Sequence, residues 1–121
     1  MRFLQGVESL LPHLAGVAVS HVGLEEGAVC IYARGAASLA RCTSYGAVYL
    51  VRRDVLAHPR GYRRTLADMP LAGRAVRVIV QVRRFKCVEP SCTAVTFAEQ
   101  IPGLTSPYAR YTCPLQRQLE A

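Results

Sequence analysis

The stretch RAVRVIVQVRRFKC, residues 74–87, decides the fold. Val76, Val78, Val80 and Val82 alternate with Arg77, Ile79, Gln81 and Arg83. Successive side chains on a strand point to opposite faces, so this period of two describes a half-buried β-strand. It places four valines inward and Arg77 and Arg83 outward. The strand runs into CVEPSC, residues 87–92, a loop with two cysteines. Upstream, Tyr62 to Met69 reads as a second strand, and Pro70 to Gly73 (PLAG) as the turn between them.

Further toward the N-terminus the pattern repeats. Val17, Val19, His21 and Gly23 alternate with Ala18, Ser20, Val22 and Leu24. Glu25-Glu26-Gly27 is a turn signal, and Ala28 to Ala33 is another strand, so the spacing predicts a hairpin. Phe3, Val7, Leu10, Leu11 and Leu14 have helical spacing and predict a short amphipathic helix over 3–15, ended near Pro12 or Gly16. Residues 34–46 read as a loop, and 47–57 fit strand or helix equally. His58-Pro59-Arg60-Gly61 is a break. Residues 114–121 have the character of a helix start.

The chain has 121 residues, the size of one domain. Hydrophobic residues make up 51% and charged residues 19%, which excludes a disordered polyelectrolyte. The formal net charge is +7, and Lys86 is the only lysine beside fourteen arginines. The charge is concentrated. Residues 41–86 hold eleven bases and two acids, a balance of +9, while the remainder is slightly acidic. Arginine matches phosphate with a bidentate fork, so a polyanion is the expected partner. Arg77 and Arg83 on the outward face, flanked by Arg63, Arg64, Arg84 and Lys86, are the candidate DNA contacts. The alternative is that some of these arginines cap the sheet or keep it soluble.

The N-terminal apolar run is interrupted by Gln5, Glu8, Pro12 and His13, unlike a secretory signal. No apolar stretch approaches membrane-span length. Five cysteines at 30, 42, 87, 92 and 113 do not look like a secreted disulfide framework, so a cytoplasmic location is expected. No catalytic residue is assigned. Asp54 and Asp68 are the only aspartates, no histidine stands in an acid–base arrangement, and phosphate-loop and dinucleotide glycine patterns are missing.

Cys87 and Cys92 are spaced to place two thiolates on one tetrahedral metal, and Pro90 stiffens the turn. Cys42, in RCTSYG, is the third candidate ligand. A complete site calls for a cysteine three positions on, where Tyr45 stands. A phenol with a pKa near ~10 and a hard oxygen is a poor structural zinc ligand. His58 is a candidate fourth ligand. The other reading of the same spacing is a set of reduced, partly buried thiols. Cys30 reads as core, Cys113 as a free thiol, and His13 and His21 as surface or strand residues.

Several motifs in order carry a resemblance: YRRTLADMP (62–70), VQVRRFKC (80–87), CVEPSC (87–92), TFAEQIPGL (96–104) and PYARYT (107–112), with LLPHLAGVAVSHV (10–22) before them. Together they resemble the N-terminal zinc-finger region of ISL-three-type insertion-sequence transposases over most of residues 10–117. The resemblance implies a DNA-binding zinc-finger fragment that takes part in transposition. In such proteins a helix-turn-helix region and an acidic catalytic core follow. This sequence stops near where the helical region should begin, so a truncated, non-enzymatic fragment is expected.

Two departures stand out: Tyr45 in place of the second cysteine, and a longer segment between Gly46 and Tyr62. The expected fold is α+β and mostly β: a small zinc-ribbon-like domain with a short N-terminal helix and hairpin. The expected organisation is 1–40 as helix and hairpin packed on the finger, 41–112 as the finger-like region, and 113–121 as the start of a helical segment. The expected metal ligands are Cys42, Cys87 and Cys92, with zinc as cofactor. DNA is the expected partner, without a membrane or a small-molecule substrate. The alternative is an interaction fragment or remnant that modulates a full-length transposase.

Overall fold

The computed structural model describes residues 11–37, 39–50, 62–93 and 96–121. These residues form a small, mostly β fold with one short C-terminal helix. The principal sheet takes β1 (Val17–Glu25), β2 (Ala28–Gly35), β5 (Tyr62–Leu71) and β6 (Arg74–Val82) in the order β1-β2-β6-β5. Two two-stranded sheets accompany it: β3 (Leu39–Arg41) with β4 (Val48–Leu50), and β7 (Arg84–Lys86) with β8 (Thr96–Ala98).

Two antiparallel hairpins build the principal sheet and meet along one parallel seam, β2 against β6. Both hairpins turn through two residues with positive φ: Glu26 and Gly27 in the first, Ala72 and Gly73 in the second. Such turns match the right-handed twist of the strands they join. The second hairpin differs from the sequence expectation, since β5 continues through Pro70 to Leu71 and only Ala72 and Gly73 turn. Pro70 is tolerated because β5 is an edge strand and the ladder shifts register between Asp68 and Leu71.

The valine strand behaves as its alternation requires. Val76, Val78, Val80 and Val82 are all 4% exposed or less. In register with Val78 lie Ile31 on β2 and Leu66 on β5, which puts them on the same face. Leu14, Ile101 and Leu104 cover this face and complete the core. Each buried aliphatic side chain contributes about 1.5 kcal/mol or more relative to exposure. Leu14 comes from a 3₁₀ turn, Pro12–Leu14. Within the described residues, that turn stands where the amphipathic helix was expected; residues 1–10 lie outside them. Among the described residues the regular helix is α1 (Cys113–Glu120), where the sequence has the character of a helix start; it is capped by the Thr112 side chain, with proline in its first turn.

One sheet thus takes strands from both sides of residue 40. Among the described residues the cysteine-bearing lobe is built from 39–50, 84–93 and 96–98 and has its own small core of Ala40, Cys42, Phe85, Cys87 and Phe97. The segment read as loop over 34–46 contains the short strand β3. It pairs with β4 because Cys42 and Gly46 close a tight turn between them.

Candidate metal centre and its cationic surroundings

The Cys42 turn is a backbone device for presenting sulfur. The Gly46 N–H donates to the Cys42 carbonyl at 2.8 Å, and the Cys42 N–H donates to the Ala47 carbonyl at 2.8 Å. Gly46 has φ +92°, which closes the turn without a Cβ penalty. The Tyr45 N–H points back to Cys42 Sγ at 3.5 Å. The second loop is tied by the Cys92 N–H to the Glu89 carbonyl at 3.0 Å.

These two turns converge. The sulfurs of Cys42, Cys87 and Cys92 all lie within 4.8 Å of one another. Cys42 Sγ and Cys92 Sγ are 3.7 Å apart. The edge of a tetrahedron with zinc–sulfur bonds of ~2.3 Å is about 3.8 Å. Cys42 and Cys87 are buried and Cys92 is partly so. Burial raises the Cys42 thiol pKa. The N–H groups of Tyr45 and Ser44 and the neighbouring Cys92 and Cys87 thiols outweigh that effect, so the net shift is downward. Three converging soft donors, one with a lowered pKa, fit a thiophilic metal ion.

The remaining side chains define what the cluster lacks. Tyr45 is 48% exposed. Tyr49, which sequence reasoning left unassigned, reaches the cluster from β4. Its hydroxyl accepts the Val88 N–H at 3.0 Å and donates to Cys87 Sγ at 3.2 Å. The bond to Cys87, with burial second, raises the phenol pKa above its ordinary value and keeps the proton in place. Tyr49 therefore acts as a hydrogen-bond donor to a candidate ligand. Its ring stacks on Phe97, 6.0 Å between centroids. His58 and the stretch 51–61 around it lie outside the described residues. Cys30 is buried in β2, as expected, and Cys113 opens α1.

The five arginines and one lysine singled out from the sequence differ in how they are held. Arg64 and Arg83 are bound within the protein. Arg64 donates to Gln100 Oε1 at 3.1 Å and to the Ser106 and Ala109 carbonyls, both at 2.8 Å. Arg83 lies beyond the end of β6 and pairs with the buried Glu99 carboxylate at 2.7 Å. The Glu99 hydrogen bond, the largest influence, raises the guanidinium pKa against the opposing effect of burial.

Arg63, Arg77 and Lys86 are exposed, and Arg84 is half-buried and donates to Thr96 Oγ1 at 3.3 Å. Arg63 and Arg77 project from the sheet face opposite the valines. Arg34, outside the basic middle third, joins them, because Arg34 and Arg63 are both in register with Gln81. The sequence signal for Arg34 was its place on the outward phase of β2.

No described helix is long and apolar enough to cross a membrane. Comparison with protein-family models, curated proteins and solved structures finds no match to this chain.

Proposed function

We propose that this chain is a DNA-binding metal-knuckle module of an insertion-sequence transposase, non-enzymatic and cytoplasmic. Cys42, Cys87 and Cys92 hold zinc, and Arg63, Arg77, Arg84 and Lys86 contact phosphate. The observation that carries the reading is the convergence of three cysteines from segments 45 residues apart onto one point. The motif resemblance over most of residues 10–117 supplies the transposase assignment. Zinc supplies folding free energy here by tying the Cys42 turn to the 87–92 loop.

Arg34, Arg63 and Arg77 share one sheet face, so a duplex laid across it meets several phosphates at once. Such contacts position the protein and carry little sequence information. The test is duplex binding by fluorescence anisotropy at two salt concentrations, for the wild type and for Arg63→Ala/Arg77→Ala. Removing two phosphate contacts should weaken binding broadly and flatten the log–log salt slope by about 2. Unchanged affinity at both concentrations rejects the reading.

A further inference from the structure

A cleft of about 470 Å³ opens between β5, the β7–β8 pair and the loop 106–110. That lies within the range of small-ligand clefts, roughly 300–1,000 Å³. Its charged lining residues are Arg64, Arg84 and Arg110, and no carboxylate lines it among the described residues. Hydroxyls of Thr43, Ser44 and Thr96 share the wall.

At its rim stands Tyr108, which is 100% exposed. Its backbone is unusual. Ser106 to Ala109 form a turn in which the Ala109 N–H donates to the Ser106 carbonyl at 3.2 Å. Pro107 occupies the second position, and Tyr108 the third with φ +62°. A turn with proline second and positive φ third is type II, which favours glycine or asparagine at that third position. Here a tyrosine is held there, and no burial rewards it. Arg64 supplies the restraint by bonding the carbonyls of Ser106 and Ala109, the two ends of the turn. Arg64 is thus a positioning residue for Tyr108.

A fully exposed aromatic ring on a clamped turn, beside two further arginines, suits one kind of ligand. Its flat face takes a base, and the guanidinium groups take the attached phosphate. A paired base already has its faces covered by neighbouring pairs, so the ligand must be unpaired. We propose that the cleft is a site for an unpaired nucleotide of a DNA strand, its base on Tyr108 and its phosphate at Arg84 and Arg110. This deepens the nucleic-acid reading above and rests on it. A free nucleotide offers the same chemistry, and the experiment separates the two.

Fluorescence anisotropy of a labelled twelve-nucleotide thymidine strand is compared with a duplex of equal length and with competition by thymidine monophosphate. Tyr108→Ala should weaken strand binding about fivefold or more and leave duplex binding within twofold. Tyr108→Phe, which keeps the stacking face, should bind the strand within twofold of wild type. Arg110→Ala should weaken the strand. Ultraviolet cross-linking of a bromodeoxyuridine strand should map to Tyr108. Strand binding indifferent to Tyr108→Ala, or cross-links only elsewhere, overturns the cleft even if duplex binding persists. Tyr108-dependent strand binding without duplex binding overturns the sheet-face reading and sustains the cleft. Competition by the free monophosphate as effective as the strand itself overturns the strand assignment.

Discussion

Arg83 and Glu99 lock together by side chain and backbone at once. The guanidinium donates Nε to Glu99 Oε1 at 2.9 Å and Nη2 to Oε2 at 2.7 Å. The Arg83 N–H adds a bond to Oε1 at 2.8 Å, and the Glu99 N–H donates to the Arg83 carbonyl at 2.9 Å. The pair sits where the principal sheet ends and the cysteine-bearing lobe begins, so it joins the two cores. An arginine that looks like a DNA contact in sequence serves here as an internal brace.

Removing one partner should therefore cost stability more than DNA affinity. Glu99 is 3% exposed and Arg83 about a third, so solvent screens part of the interaction. Arg83→Ala or Glu99→Gln should lower unfolding free energy by about 2 kcal/mol, below the roughly 3 to 5 kcal/mol of a fully buried broken pair. Gly35→Ala should destabilise through the same group, because a Cβ at Gly35 would overlap the Glu99 carboxylate. Urea denaturation of the variants checks both.

Asp68 is a second buried hub. It meets His13 Nε2 at 2.6 Å, the Thr112 hydroxyl at 2.7 Å and the Met69 N–H at 2.8 Å. It thereby ties the 3₁₀ turn, β5 and the cap of α1 together. Asp68→Ala leaves the buried Thr112 hydroxyl and the part-buried His13 ring and Met69 N–H without their partner and should cost about 3 kcal/mol. Thr112→Ala should cost about 1 to 2 kcal/mol, with Thr112→Ser close to wild type. Thermal melts read out the order of these effects.

The candidate metal site predicts a gain of function. The Tyr45 N–H already points at Cys42 Sγ, and the Tyr45 side chain is exposed, so replacing it disturbs little core. Tyr45→Cys places a fourth thiol at the second knuckle position and should tighten zinc binding tenfold or more. Cys42→Ser or Cys92→Ser should abolish the thiolate charge-transfer absorption of a cobalt(II) substitute. The pH dependence has a definite sign. The Cys42 thiol lies below its ordinary value, so its contribution to metal binding is present above that lowered value and lost as pH falls through it. Cobalt titrations across pH 5 to 8 measure this; affinity that is constant over that range would contradict it.

Tyr108 predicts a trade of function against stability. Tyr108→Gly relieves a left-handed backbone that costs an L-residue about 1 to 2 kcal/mol, offset by the glycine's greater unfolded freedom. The variant should melt at the wild-type temperature or above it while losing the stacking surface. A lower melting temperature would show that the ring supports the fold.

The strands of the principal sheet were legible because their periodicity is local. Four alternating valines, the hairpin turn at Gly27 and the cysteine loop at 87–92 each announce themselves within about ten residues. Cys42 was legible as a ligand candidate for a different reason, since its neighbours have knuckle character. At the described end of the expected N-terminal helix, Pro12 opens a 3₁₀ turn, and the chain enters β1 at Val17. Tyr49 escaped notice because its role depends on meeting Cys87 across 38 residues.

The sequence by itself therefore determined the four strands of the principal sheet, the basic middle third and the three cysteines whose sulfurs converge. These follow from side-chain alternation, composition and spacing. Only the tertiary structure decided that β2 pairs in parallel with β6, bringing Arg34 onto the sheet face that carries Arg63 and Arg77. It also decided which arginines are spent inside the protein. A guanidinium's role depends on the carbonyls and carboxylates within about 3 Å of it, and for Arg64 and Arg83 the side-chain partners lie 16 to 46 residues away along the chain.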